Sequence, residues 1–243
     1  MKFSQHKILL LTVFYLFCGS LSGDEISSYS LHYLASANGI KGNAQRTLTR
    51  KDANTFELTN TLEARVAGQL ITSLKETSKV ELFENTIRPI LYSMQQSGIT
   101  TASLEIDYDW SDMLITTDDL QQLSRQKLRP NIFDQLSHQL MLQQQITESN
   151  TKLTFTIISK GDIETYSYEI LGEEKITTPL GIFESIKVAR LHEESSRRET
   201  IFWLAPDIDG ILLRAEQTTK SGISIFLEIQ SGTVNGIPVS ALN

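Results

Sequence analysis

The sequence predicts a mainly β protein: a single antiparallel sheet of about ten strands, curled or closed part-way into a half-open β-barrel, with a helical insertion near 117–147. Three observations carry that reading. Apolar residues recur with period two along most of the chain after residue 25, as in strands that bury one face and wet the other. Short turn sequences separate the alternating stretches, and one Gln-rich stretch poor in β-branched residues interrupts them.

The alternation is clearest from Thr101 to Trp110. Ala102, Leu104, Ile106, Tyr108 and Trp110 fall on one face, and Thr101, Ser103, Glu105, Asp107 and Asp109 on the other. A helix would scatter those acids all round, so a strand is expected. The same pattern runs through Tyr29-Leu31-Tyr33-Ala35, Phe56-Leu58-Asn60-Leu62-Ala64-Val66, Leu153-Phe155-Ile157 and Tyr166-Tyr168-Ile170. It returns at Ile186-Val188, Ile211-Leu213-Ala215 and Ile223-Ile225-Leu227-Ile229, with weaker stretches at 43–50, 69–76 and 198–204. Asn38-Gly39, Lys41-Gly42-Asn43, Asp52-Ala53-Asn54, Lys160-Gly161-Asp162, Asp209-Gly210 and Ser221-Gly222 are the expected turns. Strands joined so closely run antiparallel.

Between Thr117 and Thr147 a helical reading takes over. Thr117 ahead of Asp118 and Asp119 suits the start of a short helix through Leu120 and Leu123. Pro130 breaks it, and Asn131 can cap a second helix whose Phe133, Leu136, Leu140 and Met141 form one apolar stripe. That stripe is expected to pack on the sheet.

The N-terminus reads as a cleavable leader over residues 1–22, followed by one β-rich domain over 23–243. Lys2 and Lys7 precede about ten apolar residues, the length of a signal-peptide core, where a membrane span needs about twenty. Ser20 and Ser22 suit cleavage after Ser22. Cys18, the sole cysteine, is a poor lipoprotein site, because Phe17 stands where a small residue is wanted and Tyr15 where Leu is usual. Its departure with the leader excludes disulfide, thiolate-metal and cysteine-nucleophile chemistry in the mature chain. Loss of Lys2 and Lys7 takes the formal net charge from −7 to −9. An acidic surface opposes phosphate backbones, so nucleic acid is not an expected partner.

No catalytic, cofactor-binding or metal-ligating residue is assigned. Glu105, Asp107, Asp109, Asp112, Asp118 and Asp119 form the densest acidic group, but the first three are the wet face of a strand, and no Gly-containing calcium loop follows them. Asp107 and Asp109 would stand about 7 Å apart on one face, which leaves glycoside chemistry as a weighed but unfavoured alternative. His32, His138 and His192 are not at zinc-ligand spacing. His32 falls on a polar strand face and His138 on the polar side of the helix. No nucleophile-elbow Gly-x-Ser-x-Gly and no phosphate-cradling Gly-rich loop is present. Lys187, Arg190, Arg197 and Arg198 amid Glu193, Glu194 and Glu199 read as a solvated, salt-bridged hairpin.

Aromatic residues are spread over nearly every strand: Tyr29, Tyr33, Phe56, Tyr108, Trp110, Phe155 and Tyr166 among them. They fill a core, or, if the sheet curls, line a concave apolar face. In that setting the chain resembles an exported bacterial family known as domain of unknown function 3108. The resembling marks are Tyr29 and Tyr33 followed by Gly42, then Ile90-Leu91-Tyr92 after Pro89, and Ile106-Asp107-Tyr108-Asp109-Trp110. Further on come Asp134-Gln135-Leu136-Ser137, Thr178-Pro179-Leu180-Gly181 leading to Lys187-Val188, and Trp203-Leu204-Ala205-Pro206. The resemblance implies an exported, β-rich, half-open barrel similar to carriers that hold acyl chains, and implies no activity.

The expected function is therefore a non-enzymatic periplasmic envelope protein that binds a lipid or other apolar ligand. The alternative is a structural or assembly-partner protein of the envelope with a filled core. No cofactor and no transmembrane segment after leader cleavage is expected; the partners expected are an apolar envelope component or an envelope protein.

Overall fold

The computed structural model describes residues 26–241 except Asn85, Gln121, 147–149, 193–197 and Lys220. The leader at 1–22 with Cys18, the helix end at Thr147, and Glu193, Glu194 and Arg197 of the basic hairpin lie outside those residues.

Eight strands lead: β1 (Tyr29–Ala37), β2 (Ile40–Arg50), β3 (Thr55–Val66), β4 (Gln69–Phe83), β5 (Thr86–Gly98), β6 (Ala102–Asp109), β7 (Leu114–Asp119) and β8 (Gln122–Lys127). Each pairs antiparallel with the next, as their short connections require. A two-residue strand β9 (Ile132–Phe133) and helix α1 (Ser137–Gln145) follow. A second meander then runs through β10 (Lys152–Ser159), β11 (Asp162–Thr178), β12 (Gly181–Leu191), β13 (Glu199–Ala205), β14 (Ile211–Thr218), β15 (Ser224–Val234) and β16 (Ile237–Pro238). β1 pairs with β15, which joins the two meanders into one sheet ordered β8-β7-β6-β5-β4-β3-β2-β1-β15-β14-β13-β12-β11-β10-β9, with β16 beside β15.

The sheet curls but does not close, since β8 and β9 end the path without pairing to each other. Near this seam the Gln126 side chain donates to the Gly161 carbonyl at 3.0 Å, bringing β8 to the β10–β11 turn. The inward faces form one core. On β6, Leu104, Ile106 and Tyr108 are buried while Glu105 and Asp107 are exposed, as the alternation predicts. Each such apolar side chain contributes roughly 1.5–3 kcal/mol by leaving water.

Among the described residues sixteen strands replace the expected ten or so, and the additional β5, β7 and β8 each have a physical cause. In β5 a bulge sets Pro89 opposite Val80 and Leu91 opposite Lys79, so Ile90 is an extra residue that breaks the period. The predicted helix after Thr117 is instead the β7–β8 hairpin. Ile115 and Thr117 point to the core at alternate positions, whereas Leu120 and Leu123 stay 72% and 59% exposed and give a helix nothing to bury. Arg125 and Lys127 blunt this edge strand. Asn131 does not cap the second helix: it sits in a left-handed turn at φ 58° before β9, and α1 begins only at Ser137. Nor is Lys41-Gly42-Asn43 a turn. Gly42 lies inside β2, where a Cβ would stand 2.6 Å from the Glu63 carbonyl oxygen, so glycine allows β2 and β3 to approach.

Strand direction divides the connections between two ends. Those after β1, β3, β5, β7, β10, β12 and β14 share one end of the curl, and those after β2, β4, β6, β11 and β13 the other. The segment Ile132–Gln145 crosses the interior toward the second end. There Gly210, at φ 65°, lies so near that a Cβ would stand 2.6 Å from the Gln143 carbonyl oxygen. The first end has no such plug among the described residues.

Candidate binding cavity

Asp134 fixes how the chain enters α1. Its Oδ1 accepts the N–H groups of Leu136 and Ser137, each at 2.8 Å, and its own N–H donates to the Ser137 hydroxyl at 2.9 Å. This reciprocal turn satisfies donors that a helix start would otherwise strand. Its Oδ2 accepts the Ser78 hydroxyl of β4 at 2.7 Å, which pins the helix start to the far wall. Both residues are fully buried. Burial raises the Asp134 pKa, and the hydrogen bonds from Ser137, Ser78 and Leu136 pull against that rise.

The helix is buried on more than its apolar stripe. Leu136, Leu140 and Met141 pack in the core as predicted, but His138 and Gln143 are buried too, so the polar side of the helix is not a wet face. His138 Nδ1 lies 3.0 Å from the Asp134 carbonyl oxygen and Nε2 2.8 Å from the Tyr168 hydroxyl. Burial pushes the imidazole pKa down to about 3, with Arg190 and Arg46 adding to the fall. On the facing strand, Arg46 donates through Nε to the Tyr29 hydroxyl at 3.1 Å, and through its terminal nitrogens to Gln139 Oε1 at 2.6 Å and Gln143 Oε1 at 3.4 Å. Gln143 in turn donates to the Gly210 carbonyl at 3.2 Å. The polar helix face thus has partners supplied by the barrel wall.

Above this polar floor the curled sheet and α1 enclose a cavity of about 360 Å³. Its walls are largely apolar, with Leu62, Leu74, Phe202, Leu212, Ile225 and Leu227 at the surface. Arg46, Glu76, His138, Tyr166, Tyr168 and Arg190 give it a polar side. Glu76 accepts the Tyr92 hydroxyl at 2.7 Å, and its pKa is raised by burial. Tyr33, also at the wall, donates to the Leu212 carbonyl at 2.9 Å. The lining strand segments lie toward the end that α1 leaves open. Among the described residues, nine of the thirteen exposed large apolar side chains fall within three residues of a connection at that end, Ile99 (77% exposed), Leu120 and Leu123 the most open of them.

The acidic group is not drawn together. Glu105, Asp107, Asp112 and Asp118 are exposed, and Asp109 accepts the N–H groups of Ser111 and Asp112 at 2.9 Å each, which shapes the β6–β7 turn. His32 is exposed as predicted, and His192 stands 3.1 Å from the Thr200 hydroxyl. Lys187 pairs with Glu174 at 2.9 Å, but Arg190 leaves the predicted solvated patch and lies over the Tyr166 ring, 3.3 Å from its centroid. The residue types around Arg46, Glu76 and Ser78 carry no motif. Their inward positions on β2 and β4 are the one signal that marks them.

Over residues 28–230 the chain matches the family described as Protein of unknown function (DUF3108). The chain belongs to that family. In this DUF3108 protein the resembling marks have structural duties. Trp110 donates its indole N–H to the Pro89 carbonyl at 2.8 Å, Asp134 and Ser137 form the helix-entry turn, and the Thr178 hydroxyl accepts the Leu180 N–H at 3.1 Å. Among solved structures, the fold is similar to a β-barrel-like protein of domain of unknown function DUF1849 from Brucella abortus. The TM-score is 0.55 at 7% identity, covering 86% of this chain and 98% of that one. A protein of Bacteroides fragilis NCTC 9343 with a YmcC-like fold matches at TM-score 0.39 and 11% identity, over 87% of this chain and 95% of that one. No curated protein matches the DUF3108 chain. No helix among its described residues is long and apolar enough to cross a membrane.

Proposed function

We propose that this chain is a non-enzymatic periplasmic protein that binds a lipid or other apolar ligand inside its curled sheet. The observation that carries the reading is the cavity of about 360 Å³ with mainly apolar walls. It falls within the range of roughly 300–1,000 Å³ usual for small-molecule sites. A core filled by its own side chains would leave no such space, so the cavity favours a binding module over a scaffold of the envelope. The basic, then apolar, then small-residue leader at residues 1–22 supports export. Apolar side chains around the open end suit passage of an apolar ligand between the cavity and a membrane or partner surface.

The test is native mass spectrometry, with organic extraction, of the full chain expressed and purified from the periplasm. A co-purifying apolar compound of defined mass is expected. Recovery of the protein in the cytosolic fraction would overturn the export reading. Protein that is ligand-free and takes up no acyl compound would overturn the binding reading.

A further inference from the structure

Among the described residues, two guanidinium groups face the cavity without a carboxylate partner in contact. Arg46 is buried, and its three hydrogen bonds go to the neutral acceptors Tyr29, Gln139 and Gln143. Arg190 stacks on Tyr166, and its buried Nε has no hydrogen-bond partner among the described residues. Among the described residues neither has a carboxylate oxygen within 4.0 Å. The acids nearby bond elsewhere: Glu76 acts on Arg46 through its charge alone and accepts the Tyr92 hydroxyl, and Asp134 accepts Ser78 and two backbone N–H groups. A guanidinium held away from water with no carboxylate in direct contact is costly, and an entering anion offsets that cost. Guanidinium is the side chain best shaped for a carboxylate or phosphate, through paired N–H donors in one plane.

We infer that the cavity holds a single-chain amphiphile by its anionic head, with Arg46 and Arg190 as the head site and the apolar walls around the chain. This rests on the apolar-ligand reading above and narrows it. The volume, near the lower bound for small-molecule sites, admits one chain rather than several.

The experiment is isothermal titration of the delipidated full chain with four probes of equal chain length, each below its micelle concentration: palmitate, hexadecyl phosphate, hexadecanol and hexadecyltrimethylammonium. Palmitate or hexadecyl phosphate is expected to bind about tenfold or more tighter than hexadecanol, the scale of a charged hydrogen bond. The cation is expected to bind weakest. Which of the two anions binds better tells a carboxylate from a phosphate head, and preference for either supports the inference. Arg190→Gln is expected to lower the anion's affinity toward that of hexadecanol, with Arg46 keeping part of the preference, and to leave hexadecanol binding unchanged. Equal binding of palmitate, hexadecyl phosphate and hexadecanol would overturn the anionic head while leaving the apolar cavity standing. Binding of none would overturn both. The probe series on the unsubstituted chain decides the matter even where Arg190→Gln fails to fold.

Discussion

His138 and Tyr168 meet in the interior through a 2.8 Å contact between Nε2 and the phenol oxygen. Because Nδ1 faces the Asp134 carbonyl at 3.0 Å, and a carbonyl can only accept, Nδ1 carries the proton and Nε2 accepts from the Tyr168 hydroxyl. The neutral ring is then fully satisfied. A second proton would place a cation in a buried site that already faces Arg46 and Arg190.

That arrangement sets a pH dependence. The folded-state pKa of about 3 lies below the ordinary value of 6.5, so between those limits the unfolded chain binds more protons and stability rises with pH. The contribution is complete above pH 6.5 and is lost as pH falls toward 3, by at most roughly 1.4 kcal/mol per pH unit. Glu76 and Asp134, raised by burial, act in the opposite sense: their contribution is lost as pH rises through their folded values. Urea midpoints measured from pH 7 to pH 4 should therefore fall on the acid side, and His138→Phe should flatten that fall. An equally steep curve in the variant would show that the loss arises elsewhere.

Ser78 and Asp134 are expected to behave as a unit. Removing the Ser78 hydroxyl strips one donor from a buried carboxyl group, which costs roughly 1–3 kcal/mol. Asp134→Ala also strands the Leu136 and Ser137 N–H groups, so its loss should be larger, on the order of 3 kcal/mol. In the double variant the Ser78 substitution should add little, because its partner is already gone. Denaturation midpoints of the three variants would reveal additivity, which would mean that the 2.7 Å contact contributes nothing of its own.

Two glycines separate backbone strain from steric contact. Gly39 and Gly210 both have positive φ, at 83° and 65°. An added Cβ at Gly39 meets nothing within 4 Å, so Gly39→Ala carries only the left-handed penalty of roughly 1–2 kcal/mol. At Gly210 the same atom would stand 2.6 Å from the Gln143 carbonyl oxygen, so α1 must shift as well. Gly210→Ala is expected to lose at least ~1 kcal/mol more than Gly39→Ala, the lower range for overpacking. Thermal melts of the pair compare them directly, and equal losses would mean that the helix end yields freely.

The contrast between Tyr108 and His138 explains how much of this was legible in the sequence. Tyr108 lies in a strand whose every second residue is apolar, and alternation alone places it in the core. His138 lies among Ser137, Gln139 and Gln143, which read as a wet helix face because their partners are distant in sequence: Arg46, Tyr29 and Tyr168. Only the curl of the sheet brings those partners to the helix, and alternation carries no curvature. The same lack hid the β7–β8 hairpin, where one of the two inward residues of β7 is the polar Thr117, and Asp118, Leu120 and Leu123 are all exposed, so no apolar alternation announces the strands. The neighbours of Arg190 in the chain read as a charged turn, while its position over Tyr166 depends on the pairing of β12 with β11.

The open end supplies the last prediction. Ile99, Leu120 and Leu123 stand exposed at or beside connections at the same end of the sheet as the cavity-lining segments. Exposure of large apolar side chains costs solubility, so several of them at the open end of the curl point to contact with an apolar surface. If ligand is exchanged there, Ile99→Asp with Leu123→Asp should slow transfer of a fluorescent fatty acid from anionic vesicles to the protein. Added carboxylates repel both the apolar surface and its negative charge. Affinity for the same probe free in solution should stay within about twofold, since neither residue lines the cavity. A transfer rate matching that of the unsubstituted chain would mean that ligand enters through water and that the rim serves another contact.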